Sequence, residues 1–121
     1  MKTADLQAAK LQASARRASA LLKAMANERR LMILCHLASG EKSVGEIEAL
    51  VGLSQSALSQ HLARLRRDKL VETRRTAQTI RYRLSGGEVE AVLGTLYGLY
   101  CAPAAGRAKP ARARNAAETR A

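Results

Sequence analysis

The segment SVGEIEALVGLSQSALSQHLARLRRDKLVETRRTAQTIRYRL, residues 43–84, changes its periodicity twice, and those changes decide the fold. Ser43 with Glu46 three positions on is a capping-box pattern, in which a hydroxyl and a carboxylate each accept from the other's backbone N–H. It opens a short helix with Val44, Ile47 and Leu50 inward and Gly52 at its end. Ser54 caps a second helix whose apolar stripe is Leu58, Leu62 and Leu65. Two helices joined by so tight a turn read as a helix-turn-helix. After Asp68 the pattern becomes extended, through Leu70, Val71 and Thr73 and then Thr79, Ile80, Tyr82 and Leu84, with 74–78 between them. That is a hairpin.

Upstream, Asn27 is placed to cap a helix that carries Leu31, Leu34, Cys35 and Ala38 on one side and stops at Gly40. Downstream, Ser85 and Glu88 form a second capping-box pattern before Val89, Val92, Leu93, Leu96, Tyr97 and Tyr100. The expected architecture is mainly α with a β wing, in the order α-α-α-α-β-β-α, a winged helix-turn-helix. Residues 1–20 are Ala-rich and favour a helical extension without a wide apolar face. Residues 21–102 carry these elements and read as one domain, and 103–121, rich in Ala and Arg, lack the large apolar side chains that offset ordering entropy. This last stretch reads as a basic disordered tail.

The chain of 121 residues is sized for one domain. It contains no Phe or Trp and three Tyr, so its core must be aliphatic and thin, which suits completion by a second copy. Lys and Arg number 21 against 10 acidic residues, a formal charge of +11 that makes polyanions the first partner class to consider. No apolar run approaches the roughly 20 residues of a membrane-spanning helix and no signal pattern opens the chain, so a cytoplasmic protein without a membrane role is expected. No pairing of carboxylates, nucleophile with base or phosphate loop stands at useful spacing, which argues against an enzyme. No cofactor is implied.

Burying Leu58, Leu62 and Leu65 turns Gln55, Ser56, Ser59, Gln60, Ala63 and Arg64 outward. That face is short-chained and polar, as a helix entering the major groove needs. Glutamine can read adenine through two hydrogen bonds, and serine bonds bases or phosphates with less discrimination. From Arg64 to Arg83 there are eight bases against Asp68 and Glu72, a patch suited to phosphates, with Arg75, Gln78 and Arg81 as its wing candidates. His61, three from Leu58 and four from Leu65, sits beside the buried stripe and is assigned a packing or hydrogen-bonding role.

The segments LLKAMANERRLMILCHL (21–37), residues 43–84 and the closing helix together resemble the ArsR/SmtB family of winged-helix repressors, over the run from Leu22 to Pro103. The resemblance implies a homodimer built on the first and last helices, bound to an imperfect palindromic operator in double-stranded DNA, with two recognition helices in successive major grooves. Many members sense metals, but SVGEIEAL has no cysteine where arsenic and cadmium sensors place a pair. EVEAVLGTLYGLYCAP has no histidine where zinc sensors place one. No metal site is therefore assigned.

Cys35 and Cys101 fall where a dithiol subgroup of the family, the BigR/SqrR-like sulfide- and persulfide-responsive regulators, carries its two cysteines. That resemblance implies redox sensing, with reactive sulfur species or oxidants as inducer and crosslinking of the pair releasing DNA. On the residues alone, Cys35 shares an inward face with Leu31 and Leu34 while Cys101, four after Tyr97, is more accessible. A buried cysteine acting only as a small hydrophobe is the competing reading. Tyr97 and Tyr100 are expected at the dimer interface or around the thiols. The alternatives are a metal(loid)-responsive repressor of the same family, or a winged-helix module for protein or RNA without sensing.

Overall fold

Local capping fixes where most of the helices begin in the computed structural model, which describes residues 3–102. The tail assigned to 103–121 lies outside the described residues. In chain order the elements are α1 (Thr3–Met25), α2 (Glu28–Leu37), β1 (Lys42–Ser43), α3 (Val44–Val51), α4 (Gln55–Arg67), β2 (Val71–Thr76), β3 (Thr79–Leu84) and α5 (Gly87–Tyr100). Helix α1 is continuous across positions 20 and 21.

Asn27 Oδ1 accepts from the Arg29 and Arg30 amides at 2.9 and 3.1 Å, satisfying two donors that the first turn of α2 leaves open. Arg30 then reaches back, its Nε donating to the Ala24 carbonyl at 2.7 Å, so the C-terminal end of α1 is tied to α2. The Ser43–Glu46 box forms in both directions, at 3.2 and 2.8 Å. Gly52 ends α3 at φ +70°, in the left-handed region where a Cβ would be strained. Ser54 Oγ accepts from the Ala57 amide at 3.2 Å and starts α4.

Ile33, Leu34 and Leu37 of α2, Ile47 and Val51 of α3 and Leu58, Leu62 and Leu65 of α4 close on one another. Ala24, Met25, Leu70, Val71, Val89 and Leu93 complete the buried cluster. The two helices of the motif are thus held from behind by α2, leaving one side of α4 bare.

The structure corrects four expectations. The wing is a three-stranded antiparallel sheet in the order β1-β3-β2, because Lys42 and Ser43 pair with Tyr82 and Arg81 before the chain enters α3. The hairpin is also longer than the apolar pattern shows: β2 continues through Arg74, Arg75 and Thr76, leaving Ala77 and Gln78 as the turn, with Ala77 at φ +53°. The second capping box does not form. Gly86 is the N-cap at φ +87° without a side-chain bond, the Ser85 amide donates to the Leu70 carbonyl at 2.9 Å, and Glu88 pairs with Arg17 at 3.1 Å.

The fourth correction concerns helix faces. In α2 the inward stripe is Ile33, Leu34 and Leu37, so Cys35 and Ala38 point outward. In α3 Val51 takes the buried place expected of Leu50, which is 46% exposed.

Candidate functional site

With Leu58, Leu62 and Leu65 buried, α4 presents Gln55, Ser56, Ser59, Gln60 and Ala63 to solvent as expected. Arg64 differs. It is half-buried, and its Nε donates to Asp68 Oδ2 at 2.8 Å, one turn on. That bond is the largest reason the Asp68 carboxyl lies below its ordinary range, with Arg67 adding to it. Arg64 therefore finishes the helix rather than projecting from it.

On the wing, Arg75 and Gln78 are exposed near the turn. Arg81 is half-buried and held by two carboxylates, its Nε 3.5 Å from Glu41 Oε1 and its Nη2 3.4 Å from Glu46 Oε1. Glu41, just before β1, is the residue that sequence reasoning missed. Arg74 grips it through two nitrogens at 2.9 and 2.5 Å, and Arg83 lies 3.7 Å away while bonding Glu72 at 2.7 Å. The Arg74 bond, then the charges of Arg74, Arg83 and Arg81, hold the Glu41 carboxyl below its usual range.

These pairs sort the basic stretch. Among the described residues Arg64, Arg67, Arg74, Arg81 and Arg83 each face a carboxylate, while Arg66, Lys69 and Arg75 do not. The unpaired set is the set open to phosphate. Gln55, Ser56, Ser59 and Gln60 on α4 and Arg75 and Gln78 on the wing are all exposed, whereas Arg64 and Arg81 are half-buried and paired with carboxylates.

His61 is half-buried beside α2 with no hydrogen-bond partner for its ring among the described residues. Burial, then Arg30 and Arg29, lowers its pKa. It packs, as its spacing suggested.

Cys35 on α2 and Cys101 at the C-cap of α5 are both free and exposed. Burial of part of its surface raises the Cys35 thiol, and the nearby Cys101 raises it further. The two positions are 66 residues apart in sequence. No three His, Cys, Asp or Glu side chains among the described residues are grouped to hold a metal ion. No helix among them is long and apolar enough to cross a membrane.

A helix-turn-helix with a bare polar recognition face, flanked by a sheet bearing free cations, defines a winged-helix DNA-binding protein. The comparisons specify which kind. Residues 27–73 match the model of the bacterial regulatory protein, arsR family. The chain is 54% identical over 101 residues to the transcriptional activator HlyU of Vibrio cholerae, covering 84% of this chain and 94% of that one.

Among solved structures, reduced HlyU from the same organism superposes with a TM-score of 0.74 at 57% identity, covering 77% of this chain and 98% of that one. The transcriptional repressor BigR from Xylella fastidiosa gives 0.72 at 38% identity, over 85% and 100% of the two chains. A homodimeric winged helix-turn-helix domain from Mycobacterium bovis gives 0.66 at 32%, over 74% and 83%. The protein belongs to the ArsR family and is a DNA-binding transcriptional regulator, not an enzyme.

Proposed function

We propose that the protein is a cytoplasmic homodimeric repressor that binds an imperfect palindromic operator and releases it when reactive sulfur crosslinks Cys35 to Cys101. The observation that carries the sensing is the pair itself: two free, exposed thiols, one on α2 and one at the C-cap of α5, with Cys101 contributing to the upward shift of the Cys35 thiol after burial. Cys101, exposed at the end of α5, is assigned the first attack, and Cys35, whose thiol is pushed up by partial burial, the resolving role.

Attack of one thiolate on the terminal sulfur of a persulfide RS–SH gives a protein persulfide and the thiol RSH. Attack of the second thiolate on the inner sulfur of that protein persulfide closes a disulfide and expels hydrosulfide. A second persulfide equivalent can leave additional sulfur in the bridge. Either crosslink joins α2, which backs the helix-turn-helix, to α5, and so can alter the spacing of the two recognition helices.

Residues 21–102 are assigned to DNA binding and dimerisation, with 1–20 as an extension of α1 and 103–121 as a basic tail. Gln55, Ser56, Ser59 and Gln60 would read the major groove and Arg75 and Gln78 the flanking backbone or minor groove, with Arg64 and Arg81 as phosphate contacts only where DNA displaces their carboxylates. Dimerisation is supported by the apolar side chains left bare on α1 and α5.

The test is titration of reduced protein onto duplex DNA from its own upstream region, followed by anisotropy, before and after an organic persulfide and, separately, zinc. Cys101→Ser is expected to bind as the wild type does and to stay bound after persulfide. Loss of DNA binding in that variant without any treatment would make the thiol structural and end the sensing assignment. Release by zinc alone would replace it with metal sensing.

A further inference from the structure

Where α1, the turn between α4 and β2, and the start of α5 converge lies a cleft of about 310 Å³. That is the lower end of the range of about 300–1,000 Å³ that small-molecule sites span. Its floor is apolar: Leu70 and Val89, both buried, with Ala20 and Leu21 of α1 along one wall. The charges around it do not cancel. Asp68 is already held by Arg64 at 2.8 Å and Arg67 at 3.6 Å, neither of which lines the cleft, and Glu88 is matched by Arg17 at 3.1 Å. Lys69 lines the cleft too, and among the described residues its ammonium has no carboxylate within 4 Å. Ser85, fixed next to it by an amide bond to the Leu70 carbonyl at 2.9 Å, likewise has no partner for its hydroxyl among them. One uncompensated positive charge and a hydroxyl donor thus stand over an apolar floor. A monoanion with a short apolar body matches both; a phosphate would bring surplus charge and leave the floor unused.

We propose that this cleft binds a small aliphatic monocarboxylate as an effector, its carboxylate on Lys69 and Ser85 and its chain along Leu21, Leu70 and Val89. The Arg17–Glu88 pair, with both side chains about three-quarters exposed, is weak enough to rearrange around the ligand. One ligand then touches α1, α5 and the turn that ends the recognition helix. The cleft is present in the DNA-free arrangement, so filling it stabilises that arrangement against the DNA-bound one. The carboxylate site is independent of the DNA-binding reading above, whereas its effect on operator affinity rests on that reading.

Full-length reduced protein is titrated with acetate, butyrate and hexanoate by calorimetry at constant ionic strength, and with operator duplex by anisotropy in saturating hexanoate. One hexanoate is expected to bind per chain, with affinity rising about twofold to fourfold per added methylene. Operator affinity should fall at least threefold. Lys69→Asn removes the charge with a residue that tolerates the left-handed backbone at this position, φ +66°, and should weaken hexanoate about tenfold. Ala20→Leu fills the cleft from an exposed position on α1 without altering charge, and should weaken hexanoate more than tenfold while the far-ultraviolet circular dichroism stays that of the wild type.

Affinity that does not grow with chain length, or that is the same in both variants as in the wild type, would overturn the site. Unchanged operator affinity in saturating hexanoate would overturn the effector role. Failure of the wild type to bind any duplex while still binding hexanoate would strike the DNA-binding reading, and the effector role with it, but not the carboxylate site.

Discussion

At the scale of single residues, the two side chains with the clearest consequences for stability are Asn27 and His61. Asn27 satisfies two amides of α2 at once, so Asn27→Ala is expected to cost about 1 kcal/mol, read from the denaturant midpoint. His61 acts through charge. Its pKa in the folded chain lies below the value of about 6.5 it takes when unfolded, because it is partly buried beside Arg30 and Arg29. The unfolded chain therefore binds more protons as pH falls below that value. The stability tied to a neutral His61 is fully present above about pH 6.5 and declines as pH drops through the folded-state pKa. Denaturant midpoints measured from pH 7.5 to 5.5 should fall in the wild type and stay nearly level in His61→Gln; parallel curves would assign the loss to other groups.

At the scale of elements, the wing depends on Glu41, a carboxylate that no strand contributes. It pairs with Arg74 and Arg81 and so neutralises cations of the sheet. Glu41→Gln preserves shape and removes the charge, leaving Arg74, Arg81 and Arg83 without their shared partner. Binding to scrambled DNA should tighten with a steeper salt dependence, while the ratio of operator to scrambled affinity falls as the wing loses its fixed arrangement. An unchanged ratio would show that the arginines are aimed by the sheet alone. Sequence legibility divides along similar lines. Asn27, Ser43 with Glu46, Gly52 and Ser54 were readable because each satisfies backbone groups within four residues of itself. Cys35 was misplaced because the stripe 31, 34, 35, 38 and the stripe 33, 34, 37 differ by about a third of a turn, and only packing against α3 and α4 chooses between them. Ser85 and Glu88 failed for a long-range reason: Leu70, just before β2, and Arg17 of α1 take the groups the box needed. Strand β1 and the Arg74–Thr76 end of β2 have no apolar alternation, since their residues pair at a solvated edge or engage Glu41.

At the scale of the whole molecule, α1 is the element that the isolated chain leaves unexplained. Positions 4–20 are exposed throughout, and the one ion pair that ties this stretch to the body among the described residues, Arg17 with Glu88, has both side chains about three-quarters exposed and so holds little. Leu11 at 71% and Tyr100 at 76% exposure project apolar surface from the first and last helices, and a solvated helix of this composition has little reason to persist alone. In the homodimer proposed above, a second copy would supply the missing face. Leu11→Glu combined with Tyr100→Glu is therefore expected to give a monomer by sedimentation equilibrium. Its operator affinity should fall by at least a hundredfold, because two half-sites no longer bind as one linked unit. The same variant separates the two functions assigned to the chain. The crosslink proposed above joins Cys35 and Cys101 of one protomer, so persulfide should close it in the monomer at a rate independent of protein concentration, detected by mass spectrometry. If closure instead slows on dilution, the reacting thiols belong to different subunits, and the link from sensing to DNA release would run across the dimer interface rather than from α5 to α2 within each chain.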